Sequence, residues 1–140
     1  MDRGKRIPRN NMFIEIIEIL SQRSTCERKK VGALLTKSNR IIATGYNGTL
    51  PLIDPNYGID KDGNSRTVHA EANIISFCAR NGVKTNNTRL YITLSPCEKC
   101  AELIVQAGIK EVYYLESYRD KTGIMILTKQ GVKCHLITKL

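Results

Sequence analysis

The sequence predicts an α/β fold: a mixed five-stranded sheet with helices covering both faces. Three observations carry this. From residue 69 onward, short apolar runs alternate with longer segments of helical period, the pattern of strands crossed by helices. Two apolar runs, 31–36 and 41–46, are joined by the four residues Lys37-Ser38-Asn39-Arg40. Such a pair reads as a hairpin, which makes the sheet mixed rather than wholly parallel. Helix stop signals fall at Asn81-Gly82 and at Gly108, where the periodic segments run out.

Taken in order, residues 12–20 carry apolar side chains on more than one face, broken by Glu15 and Glu18, and predict a largely buried helix. Residues 21–30 are polar and basic and read as a loop. The hairpin follows, and 50–68, with Pro51, Pro55 and two glycines, reads as a second loop. A helix is predicted over 69–79, a strand over 89–94, a helix over 96–107 and a strand over 111–115. A helix over 120–130 and a last strand over 132–138 complete the chain. Cys78 and Cys134 fall in helix and strand patterns as small buried hydrophobes, and His135 in the last strand as a structural residue.

The 140 residues fit one domain with a sizeable core, and residues 1–9 form a basic, flexible N-terminal segment. No apolar run approaches the roughly 20 residues that span a bilayer. The start lacks the apolar stretch of a secretory signal, so a cytoplasmic location, or a host's cytoplasm for a viral chain, is expected. There five cysteines are expected to be reduced, metal-binding or buried. A formal net charge of +9 points to an anionic partner, although basic residues coating a solvated surface would give the same number. With no Trp, and with Phe13, Phe77 and six Tyr for stacking, a compact anionic ligand suits the composition better than a single nucleic-acid strand.

Two segments carry the chemistry: His69-Ala70-Glu71 and Pro96-Cys97-Glu98-Lys99-Cys100. Two thiolates at the first turn of a helix can converge on one metal ion, although a redox pair has the same spacing. A lone His is more often structural than a ligand. Together His69, Cys97 and Cys100 make three zinc ligands without an evident fourth, the open arrangement of a catalytic rather than a structural site. Glu71 follows His69 by two residues, so the side chains diverge on a regular helix. They serve one site only where the metal lies beside the helix end, with the helix amides aimed at it. Zinc draws the pKa of a bound water towards neutrality, and Glu71 is then placed to take its proton and deliver it to the base and the departing amine. His-x-Glu with Pro-Cys-x-x-Cys is the signature of zinc deaminases acting on C4 of cytosine or C6 of adenine. The bland alternative is a zinc-stapled fold with Glu71 as a surface carboxylate.

Beyond that signature, the chain resembles the deoxycytidylate (dCMP) deaminase family of the cytidine deaminase superfamily. The resemblance rests on Arg23-Ser24-Thr25-Cys26, Val31-Gly32-Ala33, Gly45-Tyr46-Asn47-Gly48, His69-Ala70-Glu71-Ala72-Asn73, Ser95-Pro96-Cys97 and Gln106-Ala107-Gly108-Ile109-Lys110. It implies a three-layer α/β/α sandwich of the cytidine deaminase-like kind, one catalytic zinc per chain, and a homo-oligomer, a hexamer. It also implies hydrolysis of dCMP to dUMP for thymidylate synthesis. Carried over by position, Asn47 would hydrogen-bond the sugar, and Ser24 and Arg28, with Arg23 in reserve, would lie near the 5′-phosphate. Ala70 would offer its backbone to the cytosine ring and Tyr118 would lie over base or sugar. For Asn47 a turn role, for the loop residues a solvated surface, and for Tyr118 plain packing stay open. Some members are switched by the triphosphates dCTP and dTTP, which the resemblance brings as allosteric ligands. Many also carry Cys and His after Tyr-Asn-Gly for a second, structural zinc. Residues 50–68 contain neither, so no second zinc is expected, and Cys26 has no partner nearby in sequence.

A tRNA adenosine deaminase is the next reading, but such enzymes have Glu-Pro-Cys where this chain has Ser95-Pro96-Cys97, and they lack the Tyr46-Asn47-Gly48 pattern. A free-nucleoside cytidine deaminase would not need Arg23 and Arg28. A non-enzymatic, zinc-stabilised nucleic-acid-binding module would use Arg3, Lys5, Arg6 and Arg9 as a basic arm. That arm is equally a solvated tail, and nucleic acid and membrane are not expected as partners.

Overall fold

A computed structural model describes residues 5–26, 28–51, 54–64 and 66–140. Arg3 of the basic arm lies outside them. The elements run α1 (Arg9–Ser21), β1 (Gly32–Lys37), β2 (Arg40–Tyr46), a 3₁₀ turn (Pro55–Gly58), α2 (Ala70–Asn81), β3 (Arg89–Leu94), α3 (Glu98–Ala107), β4 (Glu111–Glu116), α4 (Thr122–Lys129) and β5 (Lys133–Leu136). The strands form one sheet in the order β2-β1-β3-β4-β5. β1 is antiparallel to both β2 and β3, whereas β3, β4 and β5 run parallel. The mixed sheet read from the hairpin is therefore present. Its antiparallel half ends at β3, and the parallel half begins where α3 carries the chain from β3 to β4.

Strand alternation divides the core into two layers. Leu34 and Tyr91 point to one face and pack on Phe13 and Ile17 of α1. Ala33, Leu35, Leu90, Ile92 and Val112 point to the other, against Ile74, Cys78, Ile104 and Leu127 of α2, α3 and α4. The sandwich is lopsided, with one helix on one side and three on the other. That asymmetry corrects the expectation for the first helix. α1 touches the sheet along one stripe only, so Phe13, Ile14 and Ile17 are buried while Ile19 is 65% exposed.

Three boundaries also move. α1 begins at Arg9, directly after Pro8, because proline is well suited to a helix start and ends the preceding coil. α3 begins at Glu98 rather than Pro96, since Cys97 keeps extended backbone (φ −74°, ψ 173°) as the N-cap. α4 begins at Thr122, whose N–H and Oγ1 donate to Asp120 Oδ1 at 2.9 and 2.6 Å in a turn that precedes the helix. The loop over 50–68 is irregular apart from the 3₁₀ turn. Its ends are pinned by a bridge in which Gly48 and Val68 exchange N–H···O bonds of 3.1 and 2.8 Å.

Two close approaches fix the helices that matter for the site. A Cβ at Gly45 of β2 would lie 2.8 Å from Ile74 Cγ1 and 3.2 Å from the Ala70 carbonyl oxygen, so the start of α2 lies directly on β2. Ile74, fully buried at 0% exposure, holds it there, a burial worth about 1.5–3 kcal/mol. A Cβ at Gly123 would come within 2.1 Å of the Pro96 carbonyl oxygen, so the start of α4 abuts the turn that leads into α3.

Candidate active site

His69 is the N-cap of α2 and Cys97 the N-cap of α3, with Cys100 in the first turn of α3. Both helices therefore present their free N–H groups and positive ends to one place, which favours thiolate and other negative charge there. His69 Nδ1 lies 3.3 Å from Cys100 Sγ and 3.5 Å from Cys97 Sγ. The three candidate ligand atoms all lie within 4.8 Å of one another. A tetrahedral zinc with bonds of about 2.1 Å to nitrogen and 2.3 Å to sulfur would hold N and S about 3.6 Å apart, so the donor set fits that ion in type and spacing.

Glu71 is 5% exposed and lies beside Cys100. Burial pushes its carboxyl up to about 7, against the opposing pull of its own backbone N–H and the Cys100 thiol. Burial likewise raises the Cys100 thiol, and the Glu71 charge adds to that. Both groups are thus costly to ionise without a cation close by, which a metal at the triad would supply.

The site opens into a cavity of about 540 Å³ whose lining includes His69, Ala70, Glu71 and Cys97, the basic-loop residues Arg28 and Lys29 with Val31 and Asn47, and Leu94, Ser95 and Tyr118. Cys26, Asp60, Gly63, Asn64 and Thr67 border it as well. The sequence-expected residues fare differently. Ala70, Asn47, Arg28 and Tyr118 all line the cavity. Ser24 is buried behind it, and Arg23 is turned aside with its guanidinium 5.9 Å from the Tyr46 ring centroid. Asn47 is 6% exposed and heavily engaged with its own protein. Its Oδ1 accepts from Ser24 Oγ and from Val31 N (2.9 Å), and its Nδ2 donates to the Lys29 carbonyl at 2.7 Å.

Sequence reasoning missed part of the wall. Lys29 pairs with Glu116 at 3.0 Å, joining the basic loop to the end of β4. Asp60 accepts from the N–H groups of Asp62 and Asn64, both at 2.9 Å, and the Asn64 bond leads in holding its carboxyl below the usual range. The Asp60-Lys61-Asp62-Gly63-Asn64 string is a turn signal, but nothing in it tells which cavity the turn will border. For Cys26, burial pushes its thiol up. The Lys29 and Arg28 backbone, Thr67 and the Arg28 charge outweigh that and leave it below the ordinary value. Cys78 is buried at 1%, and His135 Nε2 meets Glu111 at 3.1 Å on the opposite face of the sheet from α2. Among the described residues no helix is long and apolar enough to cross a membrane.

The family model for the cytidine and deoxycytidylate deaminase zinc-binding region matches residues 8–116. The chain is 41% identical over 131 residues to ComE operon protein 2 of Bacillus subtilis, covering 91% of this chain and 69% of that protein. It is 31% identical to the deoxycytidylate deaminase of Enterobacteria phage T2, covering 91% of each. Among solved structures it is similar to the dCMP deaminase of cyanophage S-TIM5 in complex with dCMP and dUMP, with a TM-score of 0.83, 34% identity and coverage of 98% of this chain and 99% of the other. A family match that spans both the histidine and the cysteine segments, on a fold that brings them together, assigns the chain to the cytidine and deoxycytidylate deaminases, a family of hydrolytic deaminases.

Proposed function

We propose that the chain hydrolyses dCMP to dUMP and ammonia. The observation that carries this is one cavity bordered by the buried Glu71 carboxyl, by His69 and Cys97 of the His/Cys/Cys triad, and by Arg28 and Lys29. Such a cavity offers a nucleotide's base a carboxyl and its phosphate a cation. The dCMP and dUMP bound by the cyanophage relative support the same substrate and product.

His69, Cys97 and Cys100 would hold one zinc per chain, and zinc there would supply the Lewis acidity that makes water a nucleophile at neutral pH. Glu71 accepts the proton that the attacking water loses and delivers it to N3 of the cytosine ring. It then takes the proton of the hydroxyl now on C4 and passes it to the exocyclic nitrogen, so that the C4–N bond breaks, ammonia leaves and C4 becomes a carbonyl. Burial pushes this carboxyl above the usual carboxylate range, which brings its protonated form within reach for both directions of transfer. The Ala70 backbone borders the base, Tyr118 forms the wall over base or sugar, and Asn47 retains one amide proton for the sugar. Arg28 is the cation offered to the phosphate, because Lys29 is already paired with Glu116. Ser24 and Arg23 support that loop from behind.

The same reading carries the wider expectations: a homohexamer, dUMP for thymidylate synthesis, a cytoplasmic setting and control by dCTP and dTTP. Ammonia release from dCMP, cytidine, dCTP and an adenosine-bearing tRNA hairpin, measured side by side with metal analysis, tests the core of it. Fast release from dCMP alone, with one zinc per chain, is expected. Preference for the hairpin, or two zincs per chain, would overturn it.

A further inference from the structure

We propose that the Ser95 hydroxyl is a positioning residue that fixes Tyr118 over the cavity and so sets how tightly the nucleotide is held. The proposal rests on the reading of Tyr118 as a substrate-facing wall.

Ser95 follows β3 and immediately precedes Pro96-Cys97. It is 4% exposed and lines the cavity. Its Oγ accepts the Tyr118 N–H at 2.6 Å, and its own N–H donates to the Glu116 carbonyl at 2.9 Å. The last residue of β4 and Tyr118 of the β4–α4 connection are thereby clipped to the turn that leads to Cys97. The far end of the connection is docked on the same turn, where Gly123 meets the Pro96 carbonyl. Tyr118 has little else to orient it. It is 41% exposed, and among the described residues no hydrogen bond reaches its hydroxyl and no ring stacks on it. With no hydrogen bond at its hydroxyl among the described residues, the ring takes much of its direction from its backbone, and the Tyr118 N–H is held by Ser95. The neighbouring Ser117 Oγ offers only a long contact of 3.4 Å to the Tyr118 carbonyl.

Removing the acceptor leaves a part-buried N–H without its partner and frees the ring to sample other directions. Ser95→Ala should lower kcat/KM for dCMP by about 5- to 50-fold, chiefly through KM, because Glu71 and the triad are untouched. Ser95→Thr keeps the hydroxyl and should return to within about threefold of the parent enzyme. Tyr118→Ala should itself cost about 5- to 100-fold, the range of a lost base–aromatic contact. In that background Ser95→Ala should cost less than about twofold, since the group it positions is gone.

A Ser95 hydroxyl that acted directly on substrate or on the metal turn would lose the same factor in both backgrounds, which would overturn the proposal. An unchanged Ser95→Ala enzyme would do so too. An unchanged Tyr118→Ala enzyme would remove the wall role of Tyr118, and the proposal with it, while leaving dCMP as substrate intact. Should Ser95→Ala lose metal, the test passes to the apo and metal-loaded forms of a reporter protein. Because the chain contains no Trp, Tyr118→Trp gives a single indole that can be excited beyond the absorption of the remaining tyrosines. Its anisotropy should fall when Ser95→Ala is added and stay high with Ser95→Thr. Equal anisotropy in all three would sink the idea.

Discussion

At Glu71 the sequence puts a carboxyl two residues after His69 of the candidate metal triad, and the fold buries it beside Cys100 where the starts of two helices meet. Glu71→Gln preserves volume and polarity but cannot move a proton. One general acid–base group contributes about 10²–10⁴-fold, and in the proposed reaction Glu71 serves more than one transfer. The turnover of Glu71→Gln on dCMP should therefore fall by about 10⁴-fold or more with metal content unchanged. Steady-state assay alongside metal analysis checks both halves, and near-normal turnover would remove Glu71 from the mechanism. Arg28 is tested by contrast between substrates. A charge-assisted bond to phosphate contributes about 1.5–3 kcal/mol, so Arg28→Ala should raise KM for dCMP by roughly 10- to 100-fold and leave deoxycytidine nearly unaffected. Equal harm to both substrates would show that Arg28 supports the fold instead. The His/Cys/Cys cluster, and Glu71 beside it, were legible as a group because metal and proton-transfer chemistry demands those residue types at fixed spacing. The bond from Ser24 to the Asn47 side chain was not, since which group a loop hydroxyl faces is decided by long-range packing.

Among the elements, the parallel strands and the helices between them were readable from period alone, because each must bury one stripe or face. Strand β3 was read to the residue and α2 to within two residues at its end. The helix starts at α3 and α4 were not, because Cys97 stays extended as the N-cap of α3 and Asp120 accepts from Thr122 in a turn that precedes α4. The helix–turn contact at Gly123 was invisible for a related reason: a glycine in a helical pattern carries no sign of what presses on it. That contact makes a sharp test. A methyl group at Gly123 would meet the Pro96 carbonyl at 2.1 Å and the Cys97 carbonyl at 2.9 Å. Both partners are backbone and cannot rotate aside, so α4 and the Cys97 turn must part. Gly123→Ala should lose about 1–3 kcal/mol of stability although alanine is the better helix former. It should also release its metal faster to a chelator. A variant as stable as its parent, with unchanged metal release, would show that the two elements are not mutually braced.

Across the whole molecule, the face of the sheet left by α1 carries a second polar assembly away from the cavity. Phe13, Tyr91, Tyr113 and His135 form a row of rings with centroid spacings of 4.7, 4.6 and 4.6 Å, running from α1 over β3 and β4 to β5. Beneath it the Glu111 carboxylate gathers Arg89 Nε at 3.1 Å, Tyr113 OH at 2.7 Å and His135 Nε2 at 3.1 Å, one from each of the three parallel strands. Burial pushes the Glu111 carboxyl up, but the Tyr113 hydroxyl, the Arg89 charge and His135 outweigh it, leaving its pKa below the ordinary 4.5. The sign of the pH effect follows. A carboxyl whose pKa is depressed by folding contributes stability that is present above its unfolded value and is lost as pH falls through its folded value. Glu111→Gln should therefore cost about 1–2 kcal/mol at pH 7, in line with lost hydrogen bonds to a charged but partly solvated group. The difference between the two proteins should shrink as the pH is taken below about 4.5. Asp60 and Asp120 are also held below their usual range, but both remain in the variant, so the difference between the two melting curves isolates Glu111. Thermal melts of parent and variant from pH 7 to pH 3.5 measure it, and a gap that stays constant over that range would show that Glu111 does not tie the three strands together through its charge.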